Sequence, residues 1–367
     1  MDLEQFNKYF SKGNYTGALK YCLNAADQGD VQAQCTLGFM YCYDEWKEHD
    51  FSEAKKWYQK AAEQGNITAQ YNLGVMYDNG DGVAQDYFEA RKWYQKAAEQ
   101  GHIDAQFNLG VMYDNGDGIA QDYAEARKWY QKAAEQGHID AQYSLAAMYD
   151  EGDGVEQDYA EARKWYQKAA EQGNADAQFN LAIMYSNGEG GAQDYAEARK
   201  WYQKAAEQDR ADAQYNLGCM YAFGEGVMQD YAEAKKWFQK AADQGDADSQ
   251  YNLGSLYYDG HGVTQDYAEA KKWYQKAADQ GHAVAQYKLG LMYDKGYGVE
   301  IDFVQARKWY QKAAKQGHAV AQYKLGLIYY MGYGGVSEDS NKARKWLQEA
   351  AKQGFDLAQH MLATVID

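Results

Sequence analysis

Aspartates recur beside glycines in the segment Asp-Asn-Gly-Asp-Gly, and clustered carboxylates of this kind can bind calcium. One copy supplies Asp78, Asp81 and Asp86. An EF-hand loop needs oxygen ligands at its positions three and five, and counting from Asp78 these positions are Gly80 and Gly82. The ligand register therefore fails, whereas helix caps and loops account for the acids without a metal. We predict no metal site and no cofactor.

The histidines show no catalytic pattern. There is no His-Glu-x-x-His, no Cys-x-x-Cys pair and no phosphate-binding glycine loop between a strand and a helix. A set of histidines sits just after a helix-ending glycine at one repeated position, and we interpret them as turn residues where any polar side chain is tolerated: His102, His138, His282 and His318. We therefore predict a non-enzymatic protein with no catalytic residues. A hydrolase remains an alternative, but it would need a clustered nucleophile and base.

The four cysteines are irregularly placed and predict no disulfide framework, which favours a reducing compartment. They are Cys22, Cys35, Cys42 and Cys219, and a Cys22–Cys35 bridge between neighbouring helices is the conceivable exception. The N-terminal segment lacks a basic stretch followed by an apolar run, so no signal peptide is expected. No segment approaches the roughly 20 apolar residues of a membrane-spanning helix. We expect a cytoplasmic protein with no membrane insertion.

The chain is acidic, with a net charge of −17 over 367 residues. Nucleic-acid binding depends on Lys and Arg neutralising phosphates, so this balance argues against nucleic acid and against anionic membranes as partners. The charge is uneven, because residues 282–367 hold eleven Lys/Arg and eight Asp/Glu, a local excess of +3. Either solubility or a polarised binding surface explains the asymmetry.

The residues discussed so far belong to a sequence block that repeats every 36 residues. Tryptophans mark the period, at Trp57, Trp93, Trp129, Trp165, Trp201, Trp237, Trp273 and Trp309, and Trp346 follows after one inserted residue. A fixed period of roughly 20–50 residues is typical of a solenoid, in which each unit buries its apolar face against its neighbours. Such a chain presents a long surface rather than one pocket, so we expect it to bind another macromolecule.

Residues 101–136 illustrate one repeat. Apolar residues at helical spacing predict a first helix, helix A, over about Asp104–Tyr113. A glycine loop follows, and Asp122 with Glu125 predicts a capping box that opens helix B, which Gly137 ends. We predict one solenoid domain over residues 1–367. It comprises a shortened unit (1–29, with its loop at Gly13-Asn14), nine repeats of 36–37 residues (30–354) and a closing helix (355–367).

The repeat resembles the Sel-one-like repeat family, a relative of the tetratricopeptide repeat. The resemblance covers roughly residues 30–354 and in one copy rests on Ala69-Gln70-Tyr71, Leu73-Gly74, Gly80, Gly82-Val83, Asp86-Tyr87, Trp93-Tyr94, Ala97-Ala98 and Gly101. The tetratricopeptide unit is shorter and usually carries a proline, which this chain lacks. Local departures are Asp209, Gly191 and the segment CYDEWKEHD at residues 42–50. The resemblance implies a bacterial adaptor that assembles protein complexes. We predict an all-α, right-handed α/α superhelical solenoid of about ten helix pairs plus a closing helix.

One stripe of helix A changes along the chain, and we predict that it lines the concave side and binds a partner. In a middle repeat it contains Asp104, Asn108 and Val111, whereas the last two complete repeats carry apolar, aromatic and lysine residues. Such residues favour a protein-binding surface, with drift near the end of the solenoid as the alternative. The predicted partner-binding residues are Val284, Lys288, Leu291, Lys295, Tyr297, Val320, Lys324, Leu327, Met331 and Tyr333.

The acidic part of the same stripe is the second candidate surface and suits a basic peptide. It consists of Asp104, Asp140, Asp176, Asp212 and Asp248. The predicted function is thus a protein–protein interaction scaffold with a protein or peptide partner, and a monomer is favoured. A bacterial immunity protein or a host-directed virulence factor that uses the same surface is the alternative.

Overall fold

The structure, a computed structural model, describes residues 3–11, 14–42 and 50–364. Over these residues all regular structure is helical, which confirms the predicted all-α class. The 21 helices are α1 (Leu3–Phe10), α2 (Tyr15–Asp27), α3 (Val31–Cys42), α4 (Phe51–Glu63), α5 (Ile67–Asn79), α6 (Tyr87–Glu99), α7 (Ile103–Asn115), α8 (Tyr123–Glu135), α9 (Ile139–Glu151), α10 (Tyr159–Glu171), α11 (Ala175–Asn187), α12 (Tyr195–Glu207), α13 (Ala211–Phe223), α14 (Tyr231–Asp243), α15 (Ala247–Asp259), α16 (Tyr267–Asp279), α17 (Ala283–Lys295), α18 (Phe303–Lys315), α19 (Ala319–Met331), α20 (Ser340–Lys352) and α21 (Asp356–Thr364).

The helices form ten successive pairs and a closing helix, as predicted for an α/α solenoid. Odd-numbered helices are helix A of their repeat and even-numbered helices are helix B, with α21 as the closing helix A. Within each of the two units described below, helices that follow one another in sequence pack together, for example α7 on α8 and α8 on α9. The handedness of the superhelix stays a prediction. Gly13 of the first loop and most of the segment 42–50 lie outside the described residues.

The chain comprises two compact units, and each is considered by itself. The first consists of the described residues of Met1–Leu181 with Glu189–Ala192, and the second of those of Ala182–Gly188 with Gln193–Asp367. The single-domain organisation therefore stays a prediction. No helix in the described ranges is long and apolar enough to cross a membrane.

Local hydrogen bonds set the helix boundaries. Helix α7 runs two residues beyond the predicted end, to Asn115, and stops at Gly116, whose φ of 83° places it in the left-handed region. Asp122 caps α8 as predicted, because its Oδ1 accepts from the backbone N–H groups of Ala124 and Glu125.

The second half of the predicted capping box is wrong. The backbone N–H of Asp122 donates to the carbonyl oxygen of Tyr113 at 2.8 Å. Because Tyr113 of α7 already satisfies that donor, Glu125 instead pairs with Lys128 one helical turn later.

The histidines after the helix-ending glycines are N-caps of helix A. Nδ1 of His138 accepts from the backbone N–H of Ala141 at 3.1 Å, and its ring stacks on Phe107 at 4.5 Å. Asn66 caps α5 in the same way through its side-chain oxygen, at 2.8 Å. The position thus favours a hydrogen-bond acceptor, although it also accepts a polar residue that has none. At Arg210, however, the same position makes no side-chain cap bond.

Each section of the core is built from three or four consecutive helices. Ala97 and Ala98 of α6, Leu109 of α7 and Trp129 of α8 belong to one buried cluster. The alanines let the helices approach closely, and the aromatic rings fill the remaining volume, as the repeat pattern predicts. Lys132 lies over the Trp129 ring at 3.7 Å, a cation–π contact that recurs along helix B.

A buried glutamine joins each repeat to the next. Gln106 is 5% exposed. Its Nε2 donates to the carbonyl oxygen of Ala98 at 3.1 Å, and its Oε1 accepts from Nε2 of Gln136 at 2.7 Å. The buried amide is thereby satisfied on both sides, which is what makes its burial tolerable.

Candidate binding surface

The predicted partner-binding residues lie on α17, α19 and the loops that follow them, within the second unit. Leu291 and Leu327 are half-buried, Lys295 is exposed, and Met331 is 59% exposed. Val284 and Val320, in the first turns of the two helices, are also half-buried. These side chains are therefore at least partly exposed to solvent.

Two of the predicted lysines are held by neighbouring A helices. Nζ of Lys324 lies 3.3 Å from Oδ2 of Asp294, whose side chain is 9% exposed. Nζ of Lys288 lies 5.1 Å from the centre of the Tyr258 ring. Both lysines therefore make contacts within the solenoid. Lys295 is the lysine of this set with an exposed position.

The two predicted tyrosines belong to aromatic contacts between repeats. Tyr297 stacks on Tyr267 at 5.2 Å, and Tyr258 meets Tyr297 edge-on at 5.8 Å. Tyr333 meets Phe303 edge-on at 5.2 Å. Burial, followed by the nearby Asp294 carboxylate, raises the pKa of Tyr333 to about 12, so its hydroxyl is protonated at neutral pH.

An exposed apolar patch adjoins Tyr333, and the sequence analysis missed it. Ile301, Phe303 and Val304 are 58%, 42% and 40% exposed and line an open groove of about 680 Å³ together with Gly334. The signal was present in the repeat register, since Gln265-Asp266-Tyr267-Ala268 becomes Ile-Asp-Phe-Val one period later. The patch extends the predicted surface beyond helix A.

The acids of the second candidate surface are mostly exposed, and several contact neighbouring residues. Oδ1 of Asp104 lies 3.5 Å from Nε2 of His138, and Oδ1 of Asp248 lies 3.0 Å from Nε2 of His282. Oδ1 of Asp212 accepts from Nε of Arg210 at 2.8 Å. Asp140 and Asp176 are exposed. These acids therefore contribute to contacts within or between repeats as well as to the surface charge.

The loop aspartates make hydrogen bonds within the fold, and the cysteines are not paired in disulfides. Oδ2 of Asp78 accepts from the Tyr94 hydroxyl at 3.0 Å, and Asp86 caps α6. Among the described residues, no group of three or more His, Cys, Asp or Glu is arranged to hold a metal. All four cysteines are free thiols, so the conceivable Cys22–Cys35 bridge is absent.

The repeated helix pairs, joined by a buried glutamine at each step, define an α/α solenoid that offers an extended surface. The chain belongs to the Sel1 repeat family, whose members are typically protein-interaction scaffolds. The model of the Sel1 repeat matches residues 9–30, 31–66, 67–102, 103–138, 139–174, 175–209, 211–246, 247–282, 283–318 and 319–355.

Solved structures of two bacterial proteins are similar to this chain. A protective antigen of uropathogenic Escherichia coli, c5321, with an SLR fold is 40% identical; the match covers 93% of this chain and 80% of that protein, with a TM-score of 0.81. A Sel1 repeat protein from Oxalobacter formigenes is 33% identical, and its match covers 89% of this chain and 93% of that protein, with a TM-score of 0.66. A search of curated proteins finds no significant match.

Proposed function

We propose that the chain is a non-enzymatic interaction scaffold that binds a protein partner through its C-terminal repeats. The observation that carries the proposal is the continuity of exposed apolar side chains there. Met331 is 59% exposed, and Phe303, which contacts Tyr333, is 42% exposed beside Ile301 and Val304. Exposed apolar and aromatic groups of this kind mark protein-binding sites more often than random surface.

The charge of this surface supports an acidic partner, but more weakly than the lysine count alone would indicate. Lys288 and Lys324 are engaged with Tyr258 and Asp294, which leaves Lys295 as the exposed lysine of the set. Apolar anchors should therefore dominate the affinity, and salt should change mainly the association rate.

The non-enzymatic character is supported by the state of the thiols. Burial raises the pKa of Cys35 to about 11 and that of Cys219 to about 11. A thiol with a raised pKa stays protonated at neutral pH and is a poor nucleophile. Turnover of a substrate by the pure protein, abolished by one substitution, would contradict this part of the proposal.

A host-directed role is the second candidate, because the similar protein of uropathogenic Escherichia coli is described as a protective antigen. An immunity role would use the same surface with another partner. We favour a cytoplasmic location, which buried free thiols such as Cys22 suit. Fractionation of the native cells tests this choice, since recovery in the medium or at the cell surface would favour the host-directed role.

The binding surface is tested with two variants that each carry two alanine substitutions. The partner is first isolated from the native organism by affinity purification. Its affinity is then measured for the Leu291→Ala/Leu327→Ala variant and for the Asp140→Ala/Asp176→Ala variant. We expect the leucine pair to weaken binding by about 2 kcal/mol or more, because anchor residues carry most interface energy.

Melting temperatures show whether each variant stays folded. If only the aspartate pair weakens binding while both variants remain folded, the acidic stripe is the binding surface and our choice is wrong. If neither pair changes the affinity, helix A does not carry the interface.

A further inference from the structure

A cavity of about 510 Å³ opens between the A helices of the first unit, far along the sequence from the proposed C-terminal surface. Phe39 of α3, Val75 of α5 and Asp104 of α7 all line it. Three successive repeats thus contribute to one concave site. Its volume lies in the range of roughly 300–1,000 Å³ that is usual for ligand sites.

An exposed aromatic ring forms one wall of the cavity. Phe39 is 47% exposed, and in the 36-residue register it occupies the position of Val75 and Leu291. Tyr71 also lines the cavity, and its ring stacks on His102 at 4.4 Å. The position of Phe39 in the register is the sequence signal that would have revealed this site.

The polar part of the cavity is negative. Asp81 and Asp104 supply carboxylates, and the side chain of Asp104 is 54% exposed. The described lining residues include no Lys or Arg. His102 adds no positive charge at neutral pH, because burial lowers its pKa and its Nδ1 accepts from the backbone N–H of Ala105.

We propose that this cavity binds an arginine side chain presented by an extended segment of a partner protein. The guanidinium would pair with Asp104 and the aliphatic stem would lie along Phe39. Arginine fits this combination best, because its planar head binds carboxylates in a bidentate manner and its face stacks on aromatic rings. The proposal is independent of the C-terminal surface and can fail or hold separately.

The test uses two short synthetic peptides that differ in one charge. The first is a glycine- and serine-flanked Leu-Arg-Leu peptide, and the second carries citrulline, a neutral analogue, in place of arginine. Methyl resonances of Val75 and Thr68, both lining the cavity, report binding in an NMR titration of the full chain. The methyl groups of Val111 are the matched control, since this residue holds the register position of Val75 in the next repeat and does not line the cavity.

We expect the arginine peptide to shift Val75 and Thr68 but not Val111, and citrulline to weaken binding about tenfold or more. Asp104→Asn should weaken binding by a similar factor, whereas Glu99→Gln, the same charge change at an exposed position of α6 that does not line the cavity, should leave it nearly unchanged. Phe39→Val, which installs the residue of the next repeat, should also weaken it. Melting temperatures establish that these variants are folded.

Three results would overturn the proposal. Equal binding of the citrulline peptide would show that the cavity does not recognise the cation. Equal losses for Asp104→Asn and Glu99→Gln would show that the effect comes only from the net charge of the protein. Free arginine amide that binds as tightly as the peptide would indicate a small-molecule site instead of a protein segment. None of these measurements involves Leu291 or Leu327, so the outcome is separate from that for the proposed function.

Discussion

At the residue scale, a tyrosine–aspartate pair shows how one substitution can demand another. The hydroxyl of Tyr94 donates to Asp78 and that of Tyr130 to Asp114, each at 3.0 Å. Where alanine replaces the acid, at position 222, a phenylalanine replaces the tyrosine, at position 238. Both partners are lost together there, whereas Tyr274 is kept opposite Tyr258 and its hydroxyl pairs with Ser255 at 3.1 Å instead. The half-buried hydroxyl is thus either removed or given another partner, as expected when an unpaired polar group is unfavourable.

This pair predicts a non-additive response. Tyr94→Phe should destabilise the protein by about 1–2 kcal/mol, since Asp78 loses its donor while burial already raises the pKa of that carboxyl. Tyr94→Phe/Asp78→Ala reproduces the Phe238 and Ala222 combination and should cost less than the sum of the single changes. Urea unfolding of the four proteins measures the coupling. Strict additivity would show that the hydrogen bond contributes nothing.

The capping histidines predict a pH-dependent stability. Nδ1 of His318 accepts from the backbone N–H of Ala321 at 3.2 Å, so protonation of the ring removes the cap. Burial lowers the pKa of His318 from its ordinary value of 6.5. Because the folded-state pKa lies below the unfolded value, the stabilisation is present above pH 6.5 and is lost as the pH falls through the folded pKa.

Replacement of His318 by asparagine tests this effect. The His318→Asn variant should keep the cap, as Asn66 does in its own repeat, and should lose less stability than the parent between pH 7 and pH 5. Urea unfolding at the two pH values gives the comparison. An identical pH dependence in parent and variant would rule out this histidine as a titrating cap.

At the element scale, two kinds of glycine perform different tasks in each repeat. Gly118 has φ of 66°, and a Cβ there would lie 2.6 Å from the backbone carbon of Tyr87. Gly137 also has positive φ, 95°, but a Cβ there would meet nothing within 4 Å. Gly118 therefore permits close packing between repeats, whereas Gly137 only allows the left-handed backbone conformation at its own position.

Alanine substitution should separate the two tasks. Gly137→Ala should cost on the order of 1–2 kcal/mol for the left-handed backbone alone. Gly118→Ala should cost clearly more, because the backbone of the preceding repeat must also move. Asp209, which stands where Gly137 does and has φ of 62°, shows that the second position accepts a side chain. Similar melting temperatures for the two variants would contradict the assignment.

How well the sequence predicts the structure depends on the distance between interacting residues. The Asp122 cap and the helix ends were predictable because their partners lie within a few residues. The contacts that were missed join residues 30 apart, as in Lys324 with Asp294 and Gln136 with Gln106. A helical pattern shows which face is buried, but it does not show which side chain of the next repeat lies opposite. Phe39 and Ile301 were visible as departures from the register, yet their cavities required the packed helices.

At the scale of the whole molecule, stability depends on contacts between consecutive helices. Trp129 is 9% exposed and completes a core cluster built from α6, α7 and α8. Each repeat thus depends mainly on its neighbours, as in other solenoids. A change in one core cluster should therefore act locally.

Truncation of a tryptophan tests this locality. Trp129→Ala should cost on the order of 3–5 kcal/mol as a large core truncation. Amide hydrogen exchange should accelerate in α6–α9 and stay unchanged in α2–α4. Lys128→Ala, at a side chain that is 57% exposed, is the control and should change neither stability nor exchange appreciably. Uniform acceleration along the chain would indicate that the protein unfolds as one cooperative body.

The buried glutamine has an evolutionary consequence. Nε2 of Gln106 donates to the carbonyl oxygen of Ala98 at 3.1 Å, and Nε2 of Gln142 donates to that of Ala134 at 3.0 Å, so the same bond crosses two successive repeat boundaries. If the segment encoding residues 103–138 were deleted or duplicated, every new junction would present the same donors and acceptors as the old one. Unequal recombination between near-identical coding blocks can therefore change the number of repeats in a single genetic event and still yield a chain that satisfies its buried amides. Repeat number becomes a heritable trait on which selection can act without redesign of any core.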